Sequence, residues 1–176
     1  EPWEFTNPSI LVTNRNDNAI ENLNSGTIID GFTMTHTANV TSHISLAQVD
    51  IRATGTVQNC IITGGSWTQT AQAINSSNGI IKVEGTLKNC LIENNTLSIT
   101  ATGTGNYKTY GLISTSATST DAVVDGNIVR NNQITLNQSG TSAIADNTTF
   151  RGAIYTASST TDTFNHILTN NIFHNN

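Results

Sequence analysis

The chain has 176 residues, a net charge of −5 and only 11% charged residues. Its seven Lys and Arg residues are scattered, which argues against a nucleic-acid partner or an anionic membrane surface. No apolar run approaches the roughly 18 residues that a membrane-spanning helix needs, so we expect no membrane insertion. The many Thr and Asn residues, without a sustained apolar period of about 3.6 residues, favour strands over helices.

The chain opens with residues 1–25, which include Trp3. We predict that they form an end segment packed over the first turn of a larger unit, where it would cover strand edges that are otherwise exposed. Residues 26–176 form the larger unit. Its organisation follows from an internal repeat.

Five nine-residue segments of this unit align without a gap. They begin at Ile29, Val57, Leu87, Val124 and Leu168 and read IDGFTMTHT, VQNCIITGG, LKNCLIENN, VDGNIVRNN and LTNNIFHNN. The first and sixth positions are always apolar, and the last two tend towards paired Asn. Repeats of unequal spacing predict a solenoid whose turns lengthen by insertion at one place.

Each turn is predicted to contain three strands. Positions four to six of the segment form the first strand, with positions one, four and six pointing inward. A Gly or Asn pair then makes a corner, because both residues tolerate the left-handed conformation. A second strand brings Trp67, Leu97 and Ile134 into one core column. A variable loop and a third strand close the turn; the loops cover residues 70–78, 101–108 and 137–150, and the strands residues 79–83, 111–114 and 152–156.

Charged and sulfur-containing positions test this register. It places Lys88 beside Asp125 and Glu93 beside Arg130, as expected for salt bridges on a solvated outer face. Cys60 and Cys90 share an inward column on consecutive turns. We expect two buried thiols, with a geometrically awkward disulfide as the alternative.

The segments NCIITGG and NCLIENN and the Asn corners resemble the right-handed parallel β-helix of the pectin-lyase-like superfamily. Residues 152–155 (GAIY) and 171–176 (NIFHNN) are similar to the GGAI and FxxN repeats of polymorphic outer-membrane proteins and related bacterial surface β-helices, although Arg151 replaces the first Gly. The resemblance implies an all-β, right-handed parallel β-helix of about five turns with little or no helix, secreted or displayed on a bacterial surface. The superfamily contains polysaccharide lyases, glycoside hydrolases, pectin esterases, tailspikes and non-catalytic adhesins.

Uronate-cleaving members of the superfamily typically use acidic residues that hold Ca²⁺ and a nearby Arg or Lys base. Asp30 and Asp125 lie three turns apart, about 14 Å, which is too far for joint work. Glu84 and Asp121 fall on consecutive turns, with Cα atoms about 5 Å apart by strand spacing. They are candidates for a Ca²⁺ site or an acid pair; the alternative is divergent, solvated side chains. We expect no other cofactor.

Carbohydrate-binding surfaces combine aromatic rings with hydroxyl and amide groups. Tyr107 and Tyr110, with Asn106 and Lys108, lie in or beside a Ser-, Thr- and Gly-rich loop and are candidates for such a surface. A Tyr that closes the core is the alternative. The four His residues show no metal-ligand spacing.

The fifth position of the repeat points outward and is nevertheless aliphatic in four turns, at Ile61, Leu91, Ile128 and Ile172. We call these four residues the aliphatic stripe. An exposed stripe of this kind needs a cover, which we predict to be residues 137–150 or, failing that, another chain or domain.

The sequence therefore predicts a secreted or cell-surface module for binding or adhesion to carbohydrate or a surface protein, without catalysis. The alternatives are a polysaccharide lyase or glycoside hydrolase that uses Glu84 and Asp121, and a structural fibre or spacer. The pattern runs to Asn176, so we also expect the solenoid to continue or to stack on a partner, with end-to-end or lateral self-association.

Overall fold

The computed structural model describes residues 9–13, 20–22, 26–40, 47, 49–71, 79–101, 108–109, 111–117, 120–138, 149–150, 153–157 and 164–176. Within these ranges every secondary-structure element is a β-strand, and every strand pair is parallel. In chain order the strands are β1 (Ser9–Thr13), β2 (Ile20–Asn22), β3 (Ile28–Asp30), β4 (Phe32–Val40), β5 (Val49–Ile51), β6 (Thr56–Gln58), β7 (Ile61–Thr63), β8 (Ser66–Ala71), β9 (Ile81–Val83), β10 (Thr86–Lys88), β11 (Leu91–Glu93), β12 (Thr96–Ala101), β13 (Lys108–Thr109), β14 (Ile113–Ser116), β15 (Ala122–Asp125), β16 (Ile128–Arg130), β17 (Gln133–Gln138), β18 (Thr149–Phe150), β19 (Ile154–Ala157), β20 (His166–Thr169) and β21 (Ile172–His174).

Apart from β13 and β18, which pair with each other, the strands stack into four sheets along a solenoid, and sheets 3 and 4 are joined through β4. Sheet 1 has the order β19-β14-β9-β5-β2, and sheet 2 the order β20-β15-β10-β6-β3. Sheet 3 contains β4, β7, β11, β16 and β21, and β1 pairs with β4 at the edge of this sheet. Sheet 4 contains β4, β8, β12 and β17. Each turn passes from sheet 1 to sheet 4, and five strands in each of sheets 1 and 2 correspond to five turns. The predicted parallel β-helix is confirmed.

Two kinds of corner separate the strands around the repeat. The corner between sheets 2 and 3 has a left-handed residue at the third repeat position in every turn: Gly31, Asn59, Asn89, Gly126 and Asn170. The predicted corner after the sixth position has one at Gly64, Asn94, Asn131 and Asn175. Gly and Asn pay little for a positive φ, so these residues turn the chain at low cost. In the first turn, β4 instead runs without interruption through this second corner, pairing with both β7 and β8.

The predicted inward columns form the core of the inner turns. Position one is buried at Val57, Leu87 and Val124, position four at Cys60, Cys90 and Asn127, and position six at Met34, Ile62, Ile92 and Val129. Trp67 and Leu97 are buried as predicted. The terminal turns are more open: Phe32, at the inward fourth position, is 39% exposed and Leu168, at the first, is 40% exposed. The outermost turns stack on fewer neighbours, so burial falls there.

Asparagine side chains bridge successive turns at the corner between sheets 2 and 3, where they form a first ladder. The Nδ2 atom of Asn127 donates to the carbonyl oxygen of Leu87 at 3.1 Å, and its Oδ1 accepts from the backbone N–H of Cys90 at 2.9 Å. Asn171 repeats this arrangement one turn later, on the carbonyl of Val124 and the N–H of Asn127. Asn127 and Asn171 are thus hydrogen-bonded along the stack, and the Nδ2 of Asn127 also donates to the Oδ1 of Asn171 at 2.9 Å.

A second asparagine ladder follows the corner between sheets 3 and 4. The Nδ2 atoms of Asn95, Asn132 and Asn176 donate to the carbonyl oxygens of Ile62, Ile92 and Val129 in the preceding turn. Their Oδ1 atoms accept from the backbone N–H groups of Gly65, Asn95 and Asn132. Each amide therefore pairs one carbonyl and one N–H of the preceding turn, at the point where the strand ladder is interrupted.

Cys60 and Cys90 occupy the first ladder where the later turns have Asn. Both thiols are free and buried, as predicted. Their sulfur atoms lie 3.0 and 3.2 Å from the carbonyl oxygens of Gln58 and Lys88, and 3.7 and 3.8 Å from those of Ile29 and Val57 in the preceding turn. The hydrogen bond between the two thiols lowers the pKa of Cys60, and burial raises the pKa of Cys90. The thiols thus bind the same kind of carbonyl group as the amides do.

The charge pairs of the outer face agree with the predicted register. Arg130 Nε lies 2.7 Å from Glu93 Oε2, which confirms that salt bridge. Lys88 lies beside Asp125 in register, but the carboxylate of Asp125 accepts hydrogen bonds from the next turn, from Thr169 at 2.6 Å and Asn170 at 3.0 Å. These bonds, more than the charge of Lys88, lower the pKa of Asp125.

The predicted end segment, residues 1–25, contributes two strands to the stack. β1 pairs with β4, and β2 pairs with β5 in sheet 1. Both pairings are parallel. The N-terminal segment therefore adds strands in the same direction as the turns that follow.

Candidate binding groove

The corner between sheets 1 and 2 has a different length in successive turns. Four residues, 52–55, join β5 to β6 in the second turn, and five, 117–121, join β14 to β15 in the fourth. Only residues 84–85 join β9 to β10 in the third turn. A short corner between two longer ones leaves a depression across the rod.

Gly85 keeps the short corner close to its neighbour. A Cβ atom at this position would lie 2.3 Å from the carbonyl oxygen of Gly55 and 2.6 Å from that of Ala53, both backbone atoms. The Thr86 N–H donates to the Gly55 carbonyl at 2.9 Å. A residue with a side chain would push the third corner outward and fill the depression.

The depression is an open groove with a volume of about 470 Å³, which we call the corner groove. Its lining consists of three threonines, a carboxylate, an aliphatic residue and an aromatic ring around Gly85: Thr54, Thr86, Thr120, Asp121, Val123 and Phe164. The ring of Phe164 belongs to a residue that is 39% exposed. Among the described residues, the groove thus combines three threonines, one carboxylate and a partly exposed phenylalanine.

Neighbouring turns hold the polar groups of the corner groove in place. Asp121 Oδ1 accepts from the backbone N–H of Asn165 at 2.8 Å and from its Nδ2 at 3.2 Å. The Thr120 hydroxyl donates to the carbonyl oxygen of Glu84 at 2.9 Å, and Thr54 Oγ1 accepts from the Gly26 N–H at 3.1 Å. The Thr54 hydroxyl proton and the second carboxylate oxygen of Asp121 take no part in these bonds.

Glu84 and Asp121, the predicted acidic pair, lie at the same corner, but their carboxylates have different partners. The carboxylate of Glu84 forms an ion pair with Lys82 on the outer face of sheet 1. Lys82 Nζ also lies 3.9 Å from Asp50, and Arg52 lies 3.0 Å from Asp50. Asp121 is bound by Asn165 and lines the groove. Among the described residues, no group of three or more His, Cys, Asp and Glu side chains could hold a metal ion.

The loop candidates for carbohydrate binding fall largely outside the described ranges. This applies to Asn106, Tyr107 and Tyr110. Lys108 belongs to β13, which pairs with β18. Sequence reasoning identified Asp121 but missed Thr54 and Phe164; the signal that could have found them is the unequal length of the corner between sheets 1 and 2.

The aliphatic stripe is buried at its middle and open at its end. Ile61, Leu91, Ile128 and Ile172 stack in register, as predicted. Leu91 is 5% exposed, its neighbours Ile61 and Ile128 are half-buried, and Ile172 is 58% exposed. Of the predicted cover, residues 137–150, only 137–138 and 149–150 fall within the described ranges.

No helix in the described part of the chain is long and apolar enough to cross a membrane. Comparison of the chain with protein-family models, curated proteins and solved structures finds no match. The assignment of the architecture to a parallel β-helix rests on the parallel strand pairs and their register.

Proposed function

We propose that this chain is a non-catalytic β-helix module of a secreted or cell-surface bacterial protein of the pectin-lyase-like superfamily, and that it binds carbohydrate in the corner groove. The observation that carries the proposal is that Phe164, Asp121 and three threonines line the same groove. The resemblance of the NCIITGG and NCLIENN segments to that superfamily supports the family assignment. Parallel pairing of these segments is compatible with it.

The lining of the groove matches the two sides of a sugar ring. An aromatic ring offers a flat apolar surface to the C–H face of a pyranose, while hydroxyl and carboxylate oxygens bind the sugar hydroxyls. Binding sites generally combine apolar surface with a few fixed polar groups. Asp121 is such a group, since two hydrogen bonds from Asn165 hold its orientation.

The arrangement of carboxylates favours binding over cleavage. Glycoside hydrolysis generally requires two carboxyl groups that face the same bond. Asp121 lines the groove, whereas the carboxylate of Glu84 is engaged by Lys82 on the outer face of sheet 1. One carboxylate that accepts hydrogen bonds from hydroxyls is sufficient for a binding site.

A matched pair of phenylalanine variants tests the site. Phe164 and Phe32 are both 39% exposed, but only Phe164 lines the groove. The chain is screened against a panel of neutral and acidic oligosaccharides, and its affinity for each binder is measured by calorimetry. We expect Phe164→Ala to weaken binding about tenfold, the loss of a stacking contact, and Phe32→Ala to leave it unchanged. Equal effects of the two substitutions, or no binder in the panel, would contradict the proposal.

The catalytic alternative has its own readout in the same panel. We expect incubation of the polysaccharides with the chain, with and without Ca²⁺, to release no new reducing or unsaturated ends. Turnover that disappears in Glu84→Gln would establish the enzyme interpretation instead.

A further inference from the structure

We infer that the carbohydrate bound in the corner groove is a neutral saccharide and that the groove discriminates against acidic ones. This inference rests on the proposed function and names its ligand class. It follows from two features: the charge of the groove lining and the engagement of the nearby cations.

The charge of the lining is negative. Among the described residues that line the corner groove, Asp121 alone is ionisable. Its carboxylate is held from one side by Asn165, so the charge has a defined position. A uronate bound beside Asp121 would bring two carboxylates close together, and two negative charges in contact repel each other. The net charge of −5 adds repulsion at longer range.

The cations at this corner are engaged by other carboxylates. Lys82 forms an ion pair with Glu84, and its Nζ lies 3.9 Å from Asp50 Oδ1. Arg52 Nη2 lies 3.0 Å from Asp50 Oδ2. Asp50 is only 3% exposed, so it would be left as a buried, less compensated charge if either cation turned towards a ligand. Among the described residues of this corner, a cation could neutralise an acidic sugar only by leaving its carboxylate partner.

The groups that remain recognise an uncharged sugar. Asn165 stacks on Asp121 of the preceding turn through its backbone N–H, which places Phe164 one turn beyond Thr120, about 4.8 Å away by strand spacing. A pyranose can thus lay its C–H face on the Phe164 ring while its hydroxyls donate to Asp121. A carboxylate that accepts from hydroxyl groups makes stronger hydrogen bonds than a neutral acceptor does.

The lining of the groove spans four turns. Thr54 lies in the second turn, Thr120 in the fourth and Phe164 in the fifth, so the groove extends along the rod for about 14 Å, which is three strand spacings. Thr86 and Val123 extend the lining onto the outer face of sheet 2, so neighbouring sugar units have a continuous surface.

The test compares oligosaccharides that differ only in charge. Each neutral oligosaccharide of the panel is paired with its derivative in which the hydroxymethyl groups have been oxidised to carboxylates, and both affinities are measured by calorimetry at low salt. We expect the neutral form to bind about tenfold or more tightly than its oxidised form. The discrimination should shrink at high salt, because it arises from charge repulsion.

Two variants locate the source of the discrimination. Asp121→Asn removes the groove charge and should reduce the preference for the neutral form to about threefold or less. Asp30→Asn removes the same charge from the first turn, away from the groove, and should leave the preference unchanged. Circular dichroism confirms that both variants fold.

The outcomes separate this inference from the proposed function. If no oligosaccharide binds, the proposed function fails. If oxidised forms bind as tightly as neutral ones, or if Asp121→Asn keeps the full preference, the groove still binds carbohydrate but the inference of a neutral ligand is wrong.

Discussion

At the scale of single residues, asparagine has two structural roles in this chain. In the left-handed conformation it turns the chain, as Asn94 and Asn131 do. At the next position it pairs backbone groups of the preceding turn, as Asn95 and Asn132 do. A buried backbone group without a hydrogen bond costs about 1–3 kcal/mol, so each ladder amide offsets two such costs at a corner. The paired Asn in the repeat thus has a physical reason at both positions.

Asn127→Asp tests the first ladder. Asn127 is completely buried, and its Nδ2 donates to Leu87 and Asn171. In Asn127→Asp a carboxylate oxygen would face the oxygen atoms of Leu87 and Asn171, and a charge would be buried. We therefore expect the free energy of unfolding to fall by about 3 kcal/mol and Tm by about 9 °C in this variant. Denaturant and thermal unfolding measure both quantities.

Asn137→Asp is the control for that substitution. Asn137 is exposed in β17, where a charge remains in water. We expect its effect to stay within about 0.5 kcal/mol. Equal losses in the two variants would show that the buried ladder does not stabilise the rod.

At the scale of strands and corners, corners of constant length and corners of variable length have different roles. The corners between sheets 2, 3 and 4 are short and repeat with the segment, so they keep the strands in register. The corner between sheets 1 and 2 varies in length, and this variation forms the groove. Longer corners are tolerated because each added residue costs little loop-closure entropy.

Gly85→Ala tests how tightly the short corner packs. The added Cβ would meet backbone oxygens of Gly55 and Ala53, which cannot rotate away as a side chain can. We expect a loss of about 2–3 kcal/mol in the free energy of unfolding and faster hydrogen exchange at the Thr86 amide, which donates to Gly55.

Gly64→Ala is the comparison. In the described part of the chain its Cβ would meet Thr35 Oγ1 at 3.6 Å, so the loss of stability would come from its positive φ. We expect a loss of about 1 kcal/mol there, with an unchanged Thr86 amide. A Gly85→Ala variant as stable as Gly64→Ala would disprove the tight packing of the third corner.

At the scale of the whole molecule, the rod buries its core along its length and exposes apolar side chains at its two ends. The inner turns bury Ile62, Ile92 and Leu87 completely, whereas Ile10 is 61% and Ile172 58% exposed. The same gradient holds on the outer face, where Leu91 is the buried member of the aliphatic stripe. Stability should therefore be greatest in the third turn.

Leu91→Lys tests that gradient on the outer face. Burial of a leucine contributes about 1.5–3 kcal/mol, and a lysine at a site that is 5% exposed loses this and must also keep its charge hydrated. We expect a loss of about 3 kcal/mol in denaturant unfolding, against less than about 0.5 kcal/mol for Ile172→Lys. If Leu91→Lys unfolds like the parent and its self-association is unchanged by sedimentation, the stripe has no structural or partner role.

The sequence by itself determined the parallel stack, its register and its inward columns. Equal positions recur in each segment, and parallel strands one turn apart bring equal positions together, so the repeat alone places Glu93 beside Arg130 and Cys60 beside Cys90. The asparagine pairs likewise indicated a corner, because few other residues adopt a positive φ. Periodicity is a local property, which is why it can be read from the chain.

Only the tertiary structure decided which groups form the groove and where the acidic side chains point. Thr54 and Phe164 lie outside the aligned segments, and they line the same groove because corners of different length stack on one another. Register placed Glu84 near Asp121, but the direction of each carboxylate depends on Lys82 and Asn165, which the repeat does not specify. Side-chain direction at irregular corners is set by contacts between turns, and these have no period in the sequence.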